Sequence, residues 1–166
     1  MSKNVLVIGA SRGIGKELVR QFAAKDLETI GFARSLTNHT ENNSHYIHLD
    51  LLSPTIKSDF ENAIAGINQI DYLIHNAGFI AVKPFLELSR EDIHNCYQVN
   101  VLSVMEITQV CIPKIKPGGH IVMISSIGGF QGSSKFPGLA AYSTSKAALV
   151  SLTELLAEEF KSSGIS

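Results

Sequence analysis

Tyr142 and Lys146 stand four residues apart in Tyr142-Ser143-Thr144-Ser145-Lys146. On a helix this spacing sets a phenol and an ammonium on one face, within reach of one ligand. A phenol gives up its proton reluctantly near neutrality, and a neighbouring cation favours its ionised form. The pair therefore suits proton transfer to or from an oxygen of a substrate. Two hydroxyls, Ser125 and Ser126, follow the apolar run His120 to Ile124. Far upstream, Gly9-Ala10-Ser11-Arg12-Gly13-Ile14-Gly15 lies between a short apolar run and a segment with helical periodicity. Glycines there let the backbone approach a pyrophosphate, and a helix N-terminus adds free N–H groups and a positive dipole end. Glycine also serves plain turn geometry. The place of this turn, after a buried strand and before an amphipathic helix, favours the phosphate cradle.

The elements that must hold these groups alternate. Val5-Leu6-Val7-Ile8 has no period-two pattern, as expected of a strand buried on both faces. A helix is predicted from about Gly13, with Ile14, Leu18 and Phe22 on its apolar face, ending at Lys25-Asp26. Thr29 to Ala33 reads as a second strand, Ser35 to Asn43 as a polar loop, and Tyr46 to Leu49 as a third strand. Pro54 suits the start of a helix that carries Ile56, Phe60, Ala63, Ile64 and Ile67. Tyr72 to Ile74 forms a fourth strand, followed by helices over Arg90 to Tyr97 and Val101 to Ile112. After the turn Pro117-Gly118-Gly119 comes a fifth strand, His120 to Ile124. A last helix spans Tyr142 to Lys161, with Leu149, Leu152, Leu156 and Phe160 inward. The expected architecture is one doubly wound α/β domain, a parallel sheet with helices on both faces.

The end of the second strand bears on cofactor choice. Dinucleotide-binding folds that prefer NAD place a carboxylate there for the ribose 2′-hydroxyl. This chain has Ala33-Arg34, and Arg34 with Arg12 offers forked donors for a 2′-phosphate. NADP is the expected cofactor.

Composition narrows the classes. A net charge of −1 gives no support for capture of nucleic acid by bulk positive charge. No stretch reaches the roughly 20 apolar residues of a membrane span, and Val5 to Ala10 is too short for a secretory core. The two cysteines, Cys96 and Cys111, lie in helical segments and read as reduced, buried thiols of a cytoplasmic protein. The six histidines show no HExxH pattern, there is no CxxC, and they read as surface or partly buried groups, so no metal is expected. No GxSxG elbow accompanies Ser126, which argues against a hydrolase.

The spacing Gly9-x-x-x-Gly13-x-Gly15, together with Asn76-Ala77-Gly78 and Tyr142-x-x-x-Lys146, resembles the short-chain dehydrogenases/reductases. Ile8 stands where that family usually has threonine. The resemblance implies a Rossmann-type fold and an NADP-dependent oxidoreductase acting on a carbonyl or alcohol. It implies that Gly9, Ser11, Arg12, Gly13, Ile14 and Gly15 hold the pyrophosphate, with Asp50 and Leu51 at the adenine. Asn76, Ala77 and Gly78 would lie against the nicotinamide ribose. Tyr142 would be the general acid or base, aided by an oxidised nicotinamide as well as by Lys146, which also holds the ribose hydroxyls. Ser126, favoured over Ser125 by its place on the strand, would bind the substrate oxygen. Asn100 would hold the water of a proton relay behind Lys146. A small insertion, Ser133 to Pro137, widens the gap between Ser126 and Tyr142 and is expected to reshape the substrate entrance. Family members are longer, so the chain is expected to be a fragment or part of a longer protein, lacking the last strands and leaving the fifth strand as an open edge. A homo-dimer or homo-tetramer is expected through the helices at Val101–Ile112 and Tyr142–Lys161. The alternative is a non-catalytic NADP-binding sensor or a degenerate family member.

Overall fold

In the computed structural model, which describes residues 3–36, 38–41 and 43–166, the first apolar run is an interior strand of the sheet. β1 (Asn4–Ile8) has its side chains from Val5 to Ile8 almost wholly out of solvent. Alternate residues serve opposite faces. Val5 and Val7 pack with Val19 of α1 (Gly13–Ala23), while Leu6 and Ile8 join Phe32, Phe60 and Ile107 on the other side. This two-sided burial explains why the run lacks alternation.

The remaining strands are β2 (Glu28–Ala33), β3 (His39–Glu41), β4 (Ser44–His48), β5 (Ile70–His75) and β6 (Ile115–Met123). They lie in the order β3-β4-β2-β1-β5-β6. All neighbours are parallel except the β3–β4 pair. α2 (Ile56–Ala63) and α4 (Ser103–Cys111) cover the face opposite α1, and α5 (Ala140–Glu159) packs along α4 through Val104, Leu149 and Leu152. The sheet is thus doubly wound with helices on both faces, as expected. No described helix is long and apolar enough to cross a membrane.

Several expectations are corrected. The stretch from Ser35 to Asn43 is not all loop, because His39–Glu41 forms an antiparallel edge strand on β4. Thr37 and Asn42, which that reading included, lie outside the described residues, as do Met1 and Ser2. Ile14 is 64% exposed and leaves the apolar face of α1 to Leu18, Val19 and Phe22. β6 starts at Ile115, since Pro117 to Gly119 sit inside the strand at a register irregularity. α3 (Arg90–Tyr97) and α4 are one continuous helix, joined by a π-helical turn over Gln98–Leu102. The outer side of β6 is paired in part: Gly118 N–H donates to Gly164 at 2.7 Å, and Ile121 N–H to Ser166 at 2.7 Å. Ile165 is consequently buried in the main core.

Candidate active site

The glycine turn is locked to the loop after β5. The carbonyl of Ile8 accepts the N–H groups of both Asn76 and Ala77, at 2.9 and 2.8 Å, and Asn76 Nδ2 donates to the Gly9 carbonyl at 2.8 Å. Gly9 has φ 93°, and a Cβ there would lie 2.6 Å from the Ala77 backbone. A Cβ on Gly15 would run into the Gly9 carbonyl and Asn76. Both positions demand glycine for close approach, at the point where strand order reverses between β1 and β5. Gly13 is different: its φ of 56° needs glycine, but a Cβ would meet nothing within 4 Å. The N-cap of α1, Arg12, supplies no side-chain cap, and the first turn holds no carboxylate. The leading N–H groups of α1 are therefore open to an anion.

Beside this turn runs an open cleft with a volume of about 140 Å³. Of the expected residues, Gly9, Arg34, Asp50, Leu51, Ala77 and Gly78 line it. Ser11, Arg12, Gly13, Ile14 and Gly15 lie outside its wall, around the start of α1. Asp50 spends one carboxylate oxygen on the N–H of Leu52 at 3.0 Å, a local turn bond. Arg12 and Arg34 are exposed and make no salt bridge among the described residues.

The second cluster gathers under Gly78. Lys146 is 3% exposed and donates from Nζ to the Ile124 carbonyl at 2.8 Å. Burial pushes its ammonium below lysine's ordinary pKa. Asn100, fully buried in the π-helical turn, accepts from Phe79 N–H at 2.9 Å and donates to Phe79 O and Ser145 Oγ, each at 2.9 Å. A Cβ on Gly78 would lie 3.6 Å from Lys146 Nζ and 3.7 Å from Asn100 Oδ1. Three expected residues from three separate elements thus meet at one point. Tyr142 packs half-buried against Ala81 and Cys96, and its hydroxyl has no hydrogen-bond partner among the described residues.

The two serines differ. Ser125 Oγ donates to the Lys146 carbonyl at 3.0 Å and fastens the strand end to α5. Ser126 Oγ accepts from Gly128 N–H at 3.3 Å and donates to no described group. Its proton remains available.

Four contributors lay beyond the sequence reading. Phe79 frames Asn100 with its backbone, Val99 lines the cleft, and Ser145 Oγ links Asn100 to the Tyr142 carbonyl at 2.7 Å. The fourth, His75, is no surface or partly buried histidine. It is 3% exposed at the end of β5, with Nε2 3.0 Å from Thr108 Oγ1. Burial, reinforced by the Lys146 ammonium, pushes its pKa down to about 3. The Cys96 and Cys111 thiols are buried and unpaired, and burial pushes the Cys111 thiol up to about 12. No group of three or more metal-ligating side chains occurs among the described residues.

Comparison with known proteins identifies the family. The family described as short chain dehydrogenase matches residues 3–166. L-2,3-butanediol dehydrogenase of Corynebacterium glutamicum is 33% identical over 99% of this chain and 68% of its own length. A short chain dehydrogenase family protein from Francisella tularensis superposes with a TM-score of 0.89 at 26% identity, over 99% of this chain and 66% of that one. 4-Hydroxyisoleucine dehydrogenase, solved in complex with NADH, has a TM-score of 0.87 at 28% identity, over 99% and 70%. The chain spans about two thirds of the length of such relatives.

Proposed function

This chain belongs to the short chain dehydrogenase family, and from that premise we propose that it moves hydride between NADP(H) and a carbonyl or alcohol substrate. The observation that carries the reading is the convergence of Lys146 Nζ and Asn100 Oδ1 on Gly78, in the loop that is locked to the glycine turn. It sets two residues of the proton-transfer set beside a loop residue that lines the nucleotide cleft.

The residues fit a dinucleotide. Glycine contacts at Gly9 and Gly15 bring backbone close to the turn, and the uncapped start of α1 offers N–H groups to the pyrophosphate. Ser11, Arg12, Gly13 and Ile14 complete that turn. Asp50 and Leu51 would hold the adenine end, and Asn76, Ala77 and Gly78 the nicotinamide ribose. Arg34 in the cleft wall and Arg12 at the helix start carry the preference for the 2′-phosphate, since neither is neutralised by a described carboxylate.

When bound, the nicotinamide supplies or accepts the hydride. The protein's own groups handle the oxygen. In reduction, Ser126 donates its unspent proton as a hydrogen bond to the carbonyl oxygen and stabilises the charge developing there. Tyr142 then transfers its phenolic proton to that oxygen. Phe79 N–H takes one lone pair of Asn100 Oδ1, which leaves the other to accept from a water that returns a proton by way of Lys146. Alcohol oxidation runs these steps in reverse.

The unpaired thiols support a cytoplasmic location. Exposed Leu102, Met105 and Leu155 on the α4–α5 side support a homo-oligomer. The decisive experiment is turnover of a panel of ketones and aldehydes with NADPH, using Tyr142→Phe as the control. Turnover in the wild type and its loss in the variant are expected. Turnover indifferent to the substitution overturns the mechanism, and NADPH binding without any turnover supports a sensor instead.

A further inference from the structure

The insertion Ser133 to Pro137 sends one side chain back across the segment that it lengthens. Lys135 Nζ donates to the carbonyl of Gly128 at 2.9 Å, to that of Phe130 at 2.7 Å, and to Ser133 Oγ at 3.0 Å. No carboxylate shares this ammonium among the described residues. Charge-assisted bonds of this kind are among the stronger ones a loop can make.

What Lys135 grips is the tight turn Ile127–Gly129, which comes directly after Ser126. Gly128 N–H is also the group that hydrogen-bonds Ser126 Oγ. From the opposite side the turn rests on α5. A Cβ on Gly129 would lie 2.7 Å from the Lys146 carbonyl carbon, and one on Gly128 would lie 2.9 Å from Ser143 Oγ. Glycine lets the turn touch the helix that carries Tyr142 and Lys146; Lys135 holds it from outside. The 3.3 Å bond from Gly128 is long for an N–H donor, so the Ser126 hydroxyl is only loosely tied by its own contact. Its placement depends on where the turn sits.

We propose that Lys135 is a positioning residue for Ser126: the insertion is a clamp that fixes the Ile127–Gly129 turn on α5 and thereby aims the Ser126 hydroxyl. This rests on the reading of Ser126 as donor to the substrate oxygen. Lys135 itself touches neither substrate nor cofactor in this scheme.

Two measurements on the purified protein test it. Amide hydrogen exchange over residues 127–133 should rise roughly tenfold in Lys135→Met, with exchange in the sheet unchanged, and Lys135→Arg should restore most of the protection, as expected when charge-assisted bonds to a turn are lost and regained. In turnover of the carbonyl panel with NADPH, Lys135→Met should lower kcat roughly tenfold while leaving the KM for NADPH unchanged, and it should add little to Ser126→Ala in the double variant. Wild-type exchange in Lys135→Met overturns the clamp. So does a kcat loss that adds fully to that of Ser126→Ala. A Ser126→Ala protein as fast as the wild type overturns the underlying reading of Ser126, and the exchange data tell that failure apart from failure of the clamp.

Discussion

The Asn100 side chain donates to Ser145 Oγ at 2.9 Å, and Ser145 passes the link to the carbonyl of Tyr142 at 2.7 Å. Asn100 and Ser145 are both fully buried. One hydroxyl therefore couples the π-helical turn to the first turn of α5. Ser145→Ala leaves one Asn100 N–H without a partner and is expected to cost about 1–3 kcal/mol of stability. Urea denaturation of the two proteins measures it, and an unchanged midpoint would show that the link carries no load.

The two neighbouring serines should separate cleanly. Ser126→Ala is expected to lower kcat by about 10²–10³-fold, the usual effect of losing a donor to a developing oxyanion. Ser125→Ala removes only the bond to the Lys146 carbonyl, and should lower stability by about 1 kcal/mol while retaining most activity. Steady-state kinetics beside denaturation curves would expose a reversed assignment.

Cofactor preference should track the arginines. Arg34→Ala is expected to weaken NADPH binding by about 10–100-fold, the value of a charged hydrogen bond, and NADH binding far less. Arg12→Ala should act in the same direction. Fluorescence titration with both cofactors gives the ratio; equal losses for the two would remove the 2′-phosphate from the account.

The buried histidine sets a pH dependence. The folded-state pKa of His75 is about 3 against an ordinary value of 6.5, so between those values the unfolded chain binds the extra proton. Its contribution is therefore complete above about pH 6.5 and is lost as pH falls toward 3, with a slope of up to about 1.4 kcal/mol per pH unit. Asp71 adds to the loss at lower pH. Desolvation raises its pKa, but Lys116 at 2.6 Å and the Asn4 N–H outweigh that and hold it below the ordinary carboxylate value. Stability of wild type and His75→Gln measured from pH 7 to 4 should diverge, with the flatter curve belonging to the variant.

Sequence reasoning found the parts of this molecule that announce themselves locally. Val5 to Ile8 reads as a buried strand because it is apolar on both faces, and Tyr142 and Lys146 fall on one helix, as their spacing predicts. β3 was illegible for the converse reason: His39, Thr40 and Glu41 are all exposed, so no apolar pattern marks an edge strand that exists only by pairing with β4. His75 ends the apolar run of β5 and gave no sign that its ring would be enclosed by Thr108, a residue far along the chain. Ile14 shows the limit of periodicity, since it faces solvent while its neighbour Gly15 is the buried residue of that turn. The grip of Lys135 depends on how a glycine-rich segment folds back, which composition does not encode.

The π-helical turn has a last consequence. Such a turn is equivalent to one residue inserted into an α-helix. Deleting a single residue between Gln98 and Leu102 would let α3 and α4 merge with regular bonding and would rotate α4 by about 100° relative to α3. The shortened helix could be the better helix and the worse enzyme, because Asn100 could no longer serve Phe79 and Ser145 together. An irregularity that local energetics would discard is retained where it keeps two ends of the site in register.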